Sequence, residues 1–102
     1  MISDGAGGIE VVVVGAGGFG RETLDVIESH NRARPEEHIV VRGVVDDEPS
    51  SLNLERLGAR GYRWLGPLYD QLLAAPGHFI LAVGNPAVRA SLDTRFVAAG
   101  WR

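Results

Sequence analysis

The sequence predicts a small α/β domain in which helices cover both faces of a short parallel sheet. Apolar, β-branched runs at residues 9–14, 39–45 and 79–83 have the length and composition of buried strands. Helix-like segments separate these runs, and such alternation is typical of parallel sheets with crossover helices. At 102 residues, the chain is long enough for one core but leaves little room for a second module. We therefore predict a Rossmann-like domain of three layers.

Composition limits the classes of partner and location. Residues 1–8 are polar and rich in glycine, so we predict a flexible tail there and the folded domain over residues 9–102. A net charge of −3 argues against nucleic-acid binding, which usually calls for a basic surface. The absence of cysteine excludes disulfides and thiolate metal sites. Neither a signal peptide nor a membrane span is recognisable, so we expect a cytoplasmic protein.

The first half of the chain is predicted to form two strands around one helix. The unbroken apolar run Ile9–Val14 predicts a strand buried on both faces. A helix follows through about Glu28, and residues 29–37, which include Pro35, are predicted to be a solvated turn. The second strand, Ile39–Val45, is closed by an acidic run and a proline.

The second half is predicted to add one edge strand, two helices and one buried strand. Residues 50–60 show no clear period and are predicted to be irregular, and residues 62–65 are predicted to form a short edge strand. A helix is expected from Pro67 to about Ala75, with proline at its first position. The third buried strand is predicted over residues 79–83.

Helix-period apolar positions predict which helix faces are buried. Asn85 is the predicted N-cap of the last helix, which begins at Pro86 and ends at Gly100. The positions predicted to face the core are Gly20, Leu24 and Ile27 in the first helix, Leu68, Leu72 and Ala75 in the short helix, and Val88, Leu92 and Phe96 in the last.

Three independent segments follow the carboxyl ends of the buried strands. The first strand leads into Gly15, the second into Asp46–Asp47, and the third into Gly84–Asn85. In a parallel sheet these ends lie on one edge, and ligands bind there at the point where strand order reverses. With the first strand in the centre, the three segments would surround one crevice.

The first of these segments has G-x-G-x-x-G spacing between a strand and a helix. Backbone amides at such a helix start attract phosphate, and glycine lets the ligand approach closely. The motif is weak alone and is also compatible with a simple tight turn. It lacks the G-K-[ST] ending of a Walker loop, which argues against ATP hydrolysis. The candidate residues are Gly15, Gly17, Gly18, Phe19 and Gly20.

The other two segments offer polar groups to the same crevice. Asp46 or Asp47 would accept hydrogen bonds from a ribose or a base, and their charge disfavours an NADP-like ligand. Gly84 permits close approach, Asn85 can serve both a helix cap and a ligand, and Arg89 could reach a phosphate or carboxylate. The alternatives are a solvated acidic turn, a helix cap alone and a surface arginine.

No arrangement in the sequence predicts catalysis or metal binding. There is no serine–histidine–acid arrangement, no HExxH and no lysine, and His30, His38 and His78 lack metal-ligand spacing. The sequence therefore predicts a binding domain with no catalytic or metal-ligating residues.

Four short motifs in order carry a family resemblance. They are VVVVGAGGFGRETLDVIE at 11–28, VVDD at 44–47, WLG at 64–66 and LAVGN at 81–85, the last followed by Arg89. From about residue 10 onward, the chain resembles the N-terminal domain of bacterial sugar O- and N-acyltransferases. These are the relatives of sialic acid O-acetyltransferase and UDP-bacillosamine N-acetyltransferase.

The resemblance implies a Rossmann-like domain that binds a UDP-linked sugar, typically an amino sugar. Glycine and phenylalanine replace the serine and histidine found in the loops of some members, so side-chain bonds from those residues are absent. The implied contacts are Gly17, Gly18 and Phe19 with the phosphates, Asp46 and Asp47 with the uridine, and Gly84 with the sugar.

In that family, a C-terminal left-handed β-helix forms the trimer, binds acetyl-CoA and carries the catalytic histidine. This sequence contains no hexapeptide repeat, so we predict the nucleotide-sugar-binding module, inactive alone and without a cofactor of its own. Acetyl-CoA and a trimer are expected of the full-length enzyme. Two alternatives stay open: the NAD-binding domain of an oxidoreductase, and a non-catalytic regulatory module with an empty crevice. The acidic pair also suits the ribose of NAD, although it lies a little beyond the usual distance of about 20 residues from the glycines. Against NAD, the chain offers no obvious catalytic partner and is short for a full dinucleotide fold.

Overall fold

A computed structural model describes residues 8–102 and contains a three-stranded parallel sheet. The strands are β1 (Ile9–Val14), β2 (Ile39–Val45) and β3 (His78–Leu81), in the spatial order β2-β1-β3. The predicted central position of the first strand is confirmed. Except for Gly8, the predicted tail lies outside the described residues.

Within the described residues, four α-helices pack around this sheet. None of them is both long and apolar enough to cross a membrane. A single 3₁₀ turn, Pro35–Glu37, precedes β2. The helices are α1 (Gly18–Ala33), α2 (Ser51–Ala59), α3 (Leu68–Leu73) and α4 (Pro86–Ala98).

The sheet separates two hydrophobic clusters, which makes the domain three-layered. In β1, Val13 points toward α1 and α2, whereas Val12 and Val14 point toward α3 and α4. This alternation explains the run of valines, since β1 is buried on both faces. The cluster under α1 and α2 contains Val13, Ala16, Leu24, Ile27, Val44, Leu57 and Ala82. The cluster under α3 and α4 contains Val12, Val14, Val45, Leu68, Leu92, Phe96 and Trp101.

Two segments predicted to be irregular are helical. Helix α1 continues through Ala33. The Asn31 side chain joins its last turns to β2, because its NH₂ group donates to the Ile39 carbonyl and its oxygen accepts from the Ile39 N–H. Residues 51–59 form α2, which is capped by the Ser50 hydroxyl accepting from the Asn53 N–H at 3.1 Å. The apolar periodicity of both segments is weak, so the sequence did not predict helices there. Contacts with the rest of the chain stabilise them.

Several predicted boundaries and faces need smaller corrections. The predicted edge strand 62–65 is reduced to one parallel bridge between Val44 and Trp64. Pro67 is the N-cap of α3 and not its first residue, and α3 ends at Leu73. Val88, predicted to face the core, is 45% exposed and lines a cleft at the carboxyl edge of the sheet.

The end of α4 agrees with the prediction. Gly100 has a φ of +95°. Its N–H donates to the Val97 carbonyl, and the Trp101 N–H donates to the Phe96 carbonyl. This is a Schellman motif, in which glycine adopts the left-handed conformation at low cost. It places Trp101 edge-on against the Phe96 ring, with ring centroids 5.4 Å apart.

A polar cluster ties α1 to the segment after α2. The Tyr62 hydroxyl donates to the Glu28 carboxylate. Arg60 donates to Glu28 at 3.0 Å and to Asp25 at 2.8 Å. These contacts hold the outer face of α1, whose first turn contributes to the site described below.

The pH dependence of unfolding is expected to reflect this cluster. The hydrogen bond from Tyr62 lowers the pKa of Glu28 below its ordinary 4.5, against the opposing effect of burial. Burial, followed by the hydrogen bond to Glu28, raises the pKa of Tyr62 to about 12 from 10.0. The stability from Glu28 is therefore lost as the pH falls below its unfolded pKa and through the lower folded one. The stability from Tyr62 is lost as the pH rises from its unfolded pKa through about 12.

Tyr62→Phe should reduce both dependences, as measured by urea denaturation across acidic and alkaline pH. Tyr69→Phe, at a tyrosine that is 65% exposed, is the matched control and should leave the profile unchanged. Identical profiles for wild type and Tyr62→Phe would contradict this account.

Candidate functional site

The carboxyl ends of the three strands meet as predicted. The Gly15 N–H donates to the Val45 carbonyl at 2.8 Å, and the Ala82 N–H donates to the Val14 carbonyl at 2.8 Å. The segments that follow the strands border a cleft of about 280 Å³ at this edge, on the α3 and α4 side of the sheet. Its lining residues are Val14, Gly15, Val45, Asp46, Asp47, Leu68, Val83, Val88 and Leu92.

Two glycines of the G-x-G-x-x-G segment are required by the fold itself. Gly15 has a φ of +124°, and a side chain there would overlap the Ala82 carbonyl oxygen. A Cβ on Gly20 would overlap the carbonyl oxygen of Gly15. These contacts bring α1 close to β1 and β3. Gly15 and Gly20 are therefore explained without a ligand.

Gly17 and Gly18 have no such structural explanation. Gly17 has a φ of −82°, and a Cβ there would meet nothing within 4 Å. The nearest atom to a Cβ on Gly18 would be a guanidinium nitrogen of Arg21, at 3.8 Å. Other residues would fit both positions in the unliganded protein. Their lack of side chains leaves the head of α1 open to a ligand.

The head of α1 also carries unused hydrogen-bond donors. The first helical bond runs from the Arg21 N–H to the Gly17 carbonyl at 3.0 Å. Within residues 8–102, the backbone amides of Gly17, Gly18, Phe19 and Gly20 donate to no protein acceptor. They lie at the positive end of the helix dipole, which favours an anion.

Asp46 and Asp47 hold the loops around the cleft. Asp46 accepts from the Ala16 N–H at 2.9 Å and, with its other oxygen, from the Glu48 N–H at 3.0 Å. One oxygen of Asp47 accepts from the Leu68 N–H at 2.8 Å, at the start of α3. The sequence predicted ligand contacts for both carboxylates. Each also has a structural role that the sequence did not reveal.

The comparison with protein families decides the relationship. A family model described as the PglD N-terminal domain matches residues 10–96. The chain belongs to this family. It is the N-terminal domain family of PglD-like bacterial acetyltransferases, which confirms the resemblance carried by the four sequence motifs. No curated protein and no solved structure matches the chain significantly.

In this domain, the third segment lies beside the glycine turn. Phe19 is 45% exposed, and its ring lies against Gly84, 3.7 Å from where a Cβ would stand. The Asn85 side chain accepts from the Ala87 N–H at 2.9 Å, which confirms the predicted N-cap. Arg89 is exposed and donates to the Val83 carbonyl at 3.5 Å. The ten predicted site residues thus lie in or directly after the segments that follow the three strands, and three of them, Gly15, Asp46 and Asp47, line the cleft.

One pair of polar residues at this edge was missed from the sequence. The Arg21 guanidinium donates to the side-chain oxygen of Asn53 on α2 at 2.8 Å. Since α2 was not predicted, nothing in the sequence placed Asn53 beside the glycine turn. An arginine directly after the last glycine of the motif was the available signal. In the part of the chain that the structure describes, no three histidine or carboxylate side chains are grouped to hold a metal ion.

Proposed function

We propose that this domain binds a UDP-linked sugar. It would be the nucleotide-sugar-binding part of an acetyl-CoA-dependent sugar O- or N-acetyltransferase. The observation that carries the proposal is the head of α1, where Gly17 and Gly18 have no steric reason to be glycine. Four amide donors without protein acceptors in the described range lie at the same place. Family membership supports a nucleotide sugar as the anion.

Each part of the edge has a proposed role. The amides from Gly17 to Gly20 bind the diphosphate, aided by a helix-dipole contribution of about 0.3–1 kcal/mol. Asp46 and Asp47 accept hydrogen bonds from the uridine. The contacts proposed on the sugar side are Phe19 and Gly84, with Asn85 and Arg89 as further polar groups beside them.

Catalysis, acetyl-CoA binding and trimer formation are proposed to belong to the catalytic part of the enzyme. This domain would bind no cofactor and would be inactive alone. Acetyl-CoA binding and trimer formation are proposed for the full-length enzyme, in the cytoplasm. They rest on the family relationship and on no residue of the cleft.

Thermal denaturation with separate additions of UDP-N-acetylglucosamine and NAD tests the proposal. A ligand at about 100 times its Kd adds roughly 2.7 kcal/mol, which raises the Tm of a domain of this size by about 10 °C or more. We expect a shift with the UDP-sugar and none with NAD. A shift with NAD alone would instead indicate the NAD-binding domain of an oxidoreductase, and no shift with either would indicate a regulatory module.

A further inference from the structure

We infer that Arg21 is a phosphate ligand of this site, held in position by Asn53. The inference rests on the proposed function and deepens it, because it assigns to a side chain part of the anion binding otherwise left to backbone amides. Neither residue was among those predicted from the sequence.

The position of Arg21 is unfavourable for a cation in the unliganded domain. Arg21 lies in the first turn of α1, where the helix dipole repels positive charge. Arg34, Arg42 and Arg60 form ion pairs with carboxylates, whereas Arg21, like the remaining arginines, forms none among residues 8–102. A phosphate bound at the head of α1 would offset this repulsion.

The orientation of the guanidinium suits that role. One terminal nitrogen, Nη1, donates to the Asn53 side-chain oxygen at 2.8 Å. The other, Nη2, lies over the glycine turn, 3.8 Å from where a Cβ on Gly18 would stand. Because a guanidinium has five N–H donors, the bond to Asn53 leaves others for phosphate oxygens. Within residues 8–102, Arg21 therefore lies beside amides that have no protein acceptor, and no carboxylate pairs with its guanidinium.

Asn53 acts through Arg21 and is a positioning residue. Its own N–H donates to the Ser50 hydroxyl at 3.1 Å, so the start of α2 is well defined. A carboxylate at this position would neutralise the guanidinium. The amide oxygen of Asn53 fixes its orientation and leaves its charge in place. This arrangement orients the arginine before the ligand arrives, which reduces the entropic cost of binding.

Calorimetric titration with UDP and with uridine tests the assignment. Arg21→Gln is expected to weaken UDP binding about tenfold or more, equivalent to about 1.4 kcal/mol, and to leave uridine binding unchanged. The UDP affinity of Arg21→Lys should lie between those of wild type and Arg21→Gln, because lysine keeps the charge but cannot donate two parallel hydrogen bonds. Asn53→Ala should weaken UDP binding less than Arg21→Gln does. Arg95→Gln, at an exposed arginine in the last turn of α4, is the matched control.

The salt dependence and the melting temperature separate this role from a structural one. UDP affinity should depend less on salt in Arg21→Gln than in wild type, while its Tm stays equal or rises because a cation leaves the helix start. If wild type binds UDP and Arg21→Gln binds it equally well, the inference is overturned and the proposed function stands. If wild type binds neither UDP nor UDP-N-acetylglucosamine, the proposed function fails, and the inference fails with it.

Discussion

Gly20→Ala is expected to destabilise the domain by about 3 kcal/mol or more, at the upper end of the usual cost of overpacking. The added Cβ would overlap the carbonyl oxygen of Gly15, and a backbone atom cannot move away by changing rotamer. Gly15 is itself held at a φ of +124° against Ala82, so the strain would pass into the centre of the sheet. A domain of this size has a total stability of about 5–15 kcal/mol. Thermal denaturation should show a Tm lowered by more than about 12 °C.

Gly58→Ala provides the control for this substitution. Gly58 lies in α2, and a Cβ there would meet nothing within 4 Å. Alanine is favoured over glycine in a helix, so this variant should be as stable as wild type or more stable by about 0.4–1 kcal/mol. Equal stability of Gly20→Ala and Gly58→Ala would show that α1 does not approach β1 as closely as described.

Gly17→Asp, unlike Gly20→Ala, is expected to leave the domain as stable as wild type or more stable. It should, however, abolish UDP binding. Gly17 is the N-cap of α1 and has an extended backbone conformation that aspartate adopts readily. The new carboxylate would accept from the amides of Phe19 or Gly20 and interact favourably with the helix dipole. It would also occupy the phosphate position and repel an anion. We expect UDP affinity to fall about 100-fold or more, or about 2.7 kcal/mol.

Gly17→Asn separates charge from occupancy. Asparagine and aspartate are equally good N-caps of nearly the same shape, but asparagine carries no charge. UDP affinity measured by calorimetry should therefore fall less in Gly17→Asn than in Gly17→Asp. If both variants bind UDP as wild type does, the head of α1 is not the phosphate site.

The sequence was most informative where local pattern and burial agree. The valines of β1 are apolar on both faces because two helical layers pack against the strand. The turn after each strand could be placed because all parallel strands end on one edge. The same reasoning predicts a ligand site at this edge.

What the sequence did not reveal depends on contacts between distant segments. Helix α2 has a weak apolar period and contains Gly58 near its end. Its buried residue, Leu57, belongs to the core cluster, so the helix is stabilised by packing against the sheet. The last turns of α1 are joined to β2 through Asn31 and Ile39, eight residues apart. The pairing of Arg21 with Asn53 spans 32 residues and requires α2 to be in place.

The structural role of the acidic pair was equally hidden. When the strand is viewed alone, an acidic pair after it is compatible with either a ligand contact or a solvated turn. In the folded domain, the Asp46 carboxylate accepts hydrogen bonds from the glycine turn and from the turn that follows β2. The Asp47 carboxylate accepts one from the start of α3. Such bonds cannot be inferred from spacing, because their partners lie in other elements.

A titration of the ¹⁵N-labelled domain with UDP-N-acetylglucosamine, followed by amide chemical shifts, tests the central claim most directly. We predict the largest shift changes at the amides of Gly17, Gly18, Phe19 and Gly20, with little change at Ile9 and Ile39 on the opposite edge of the sheet. Saturable shifts that leave the glycine turn unaffected and concentrate at the opposite edge would contradict the account.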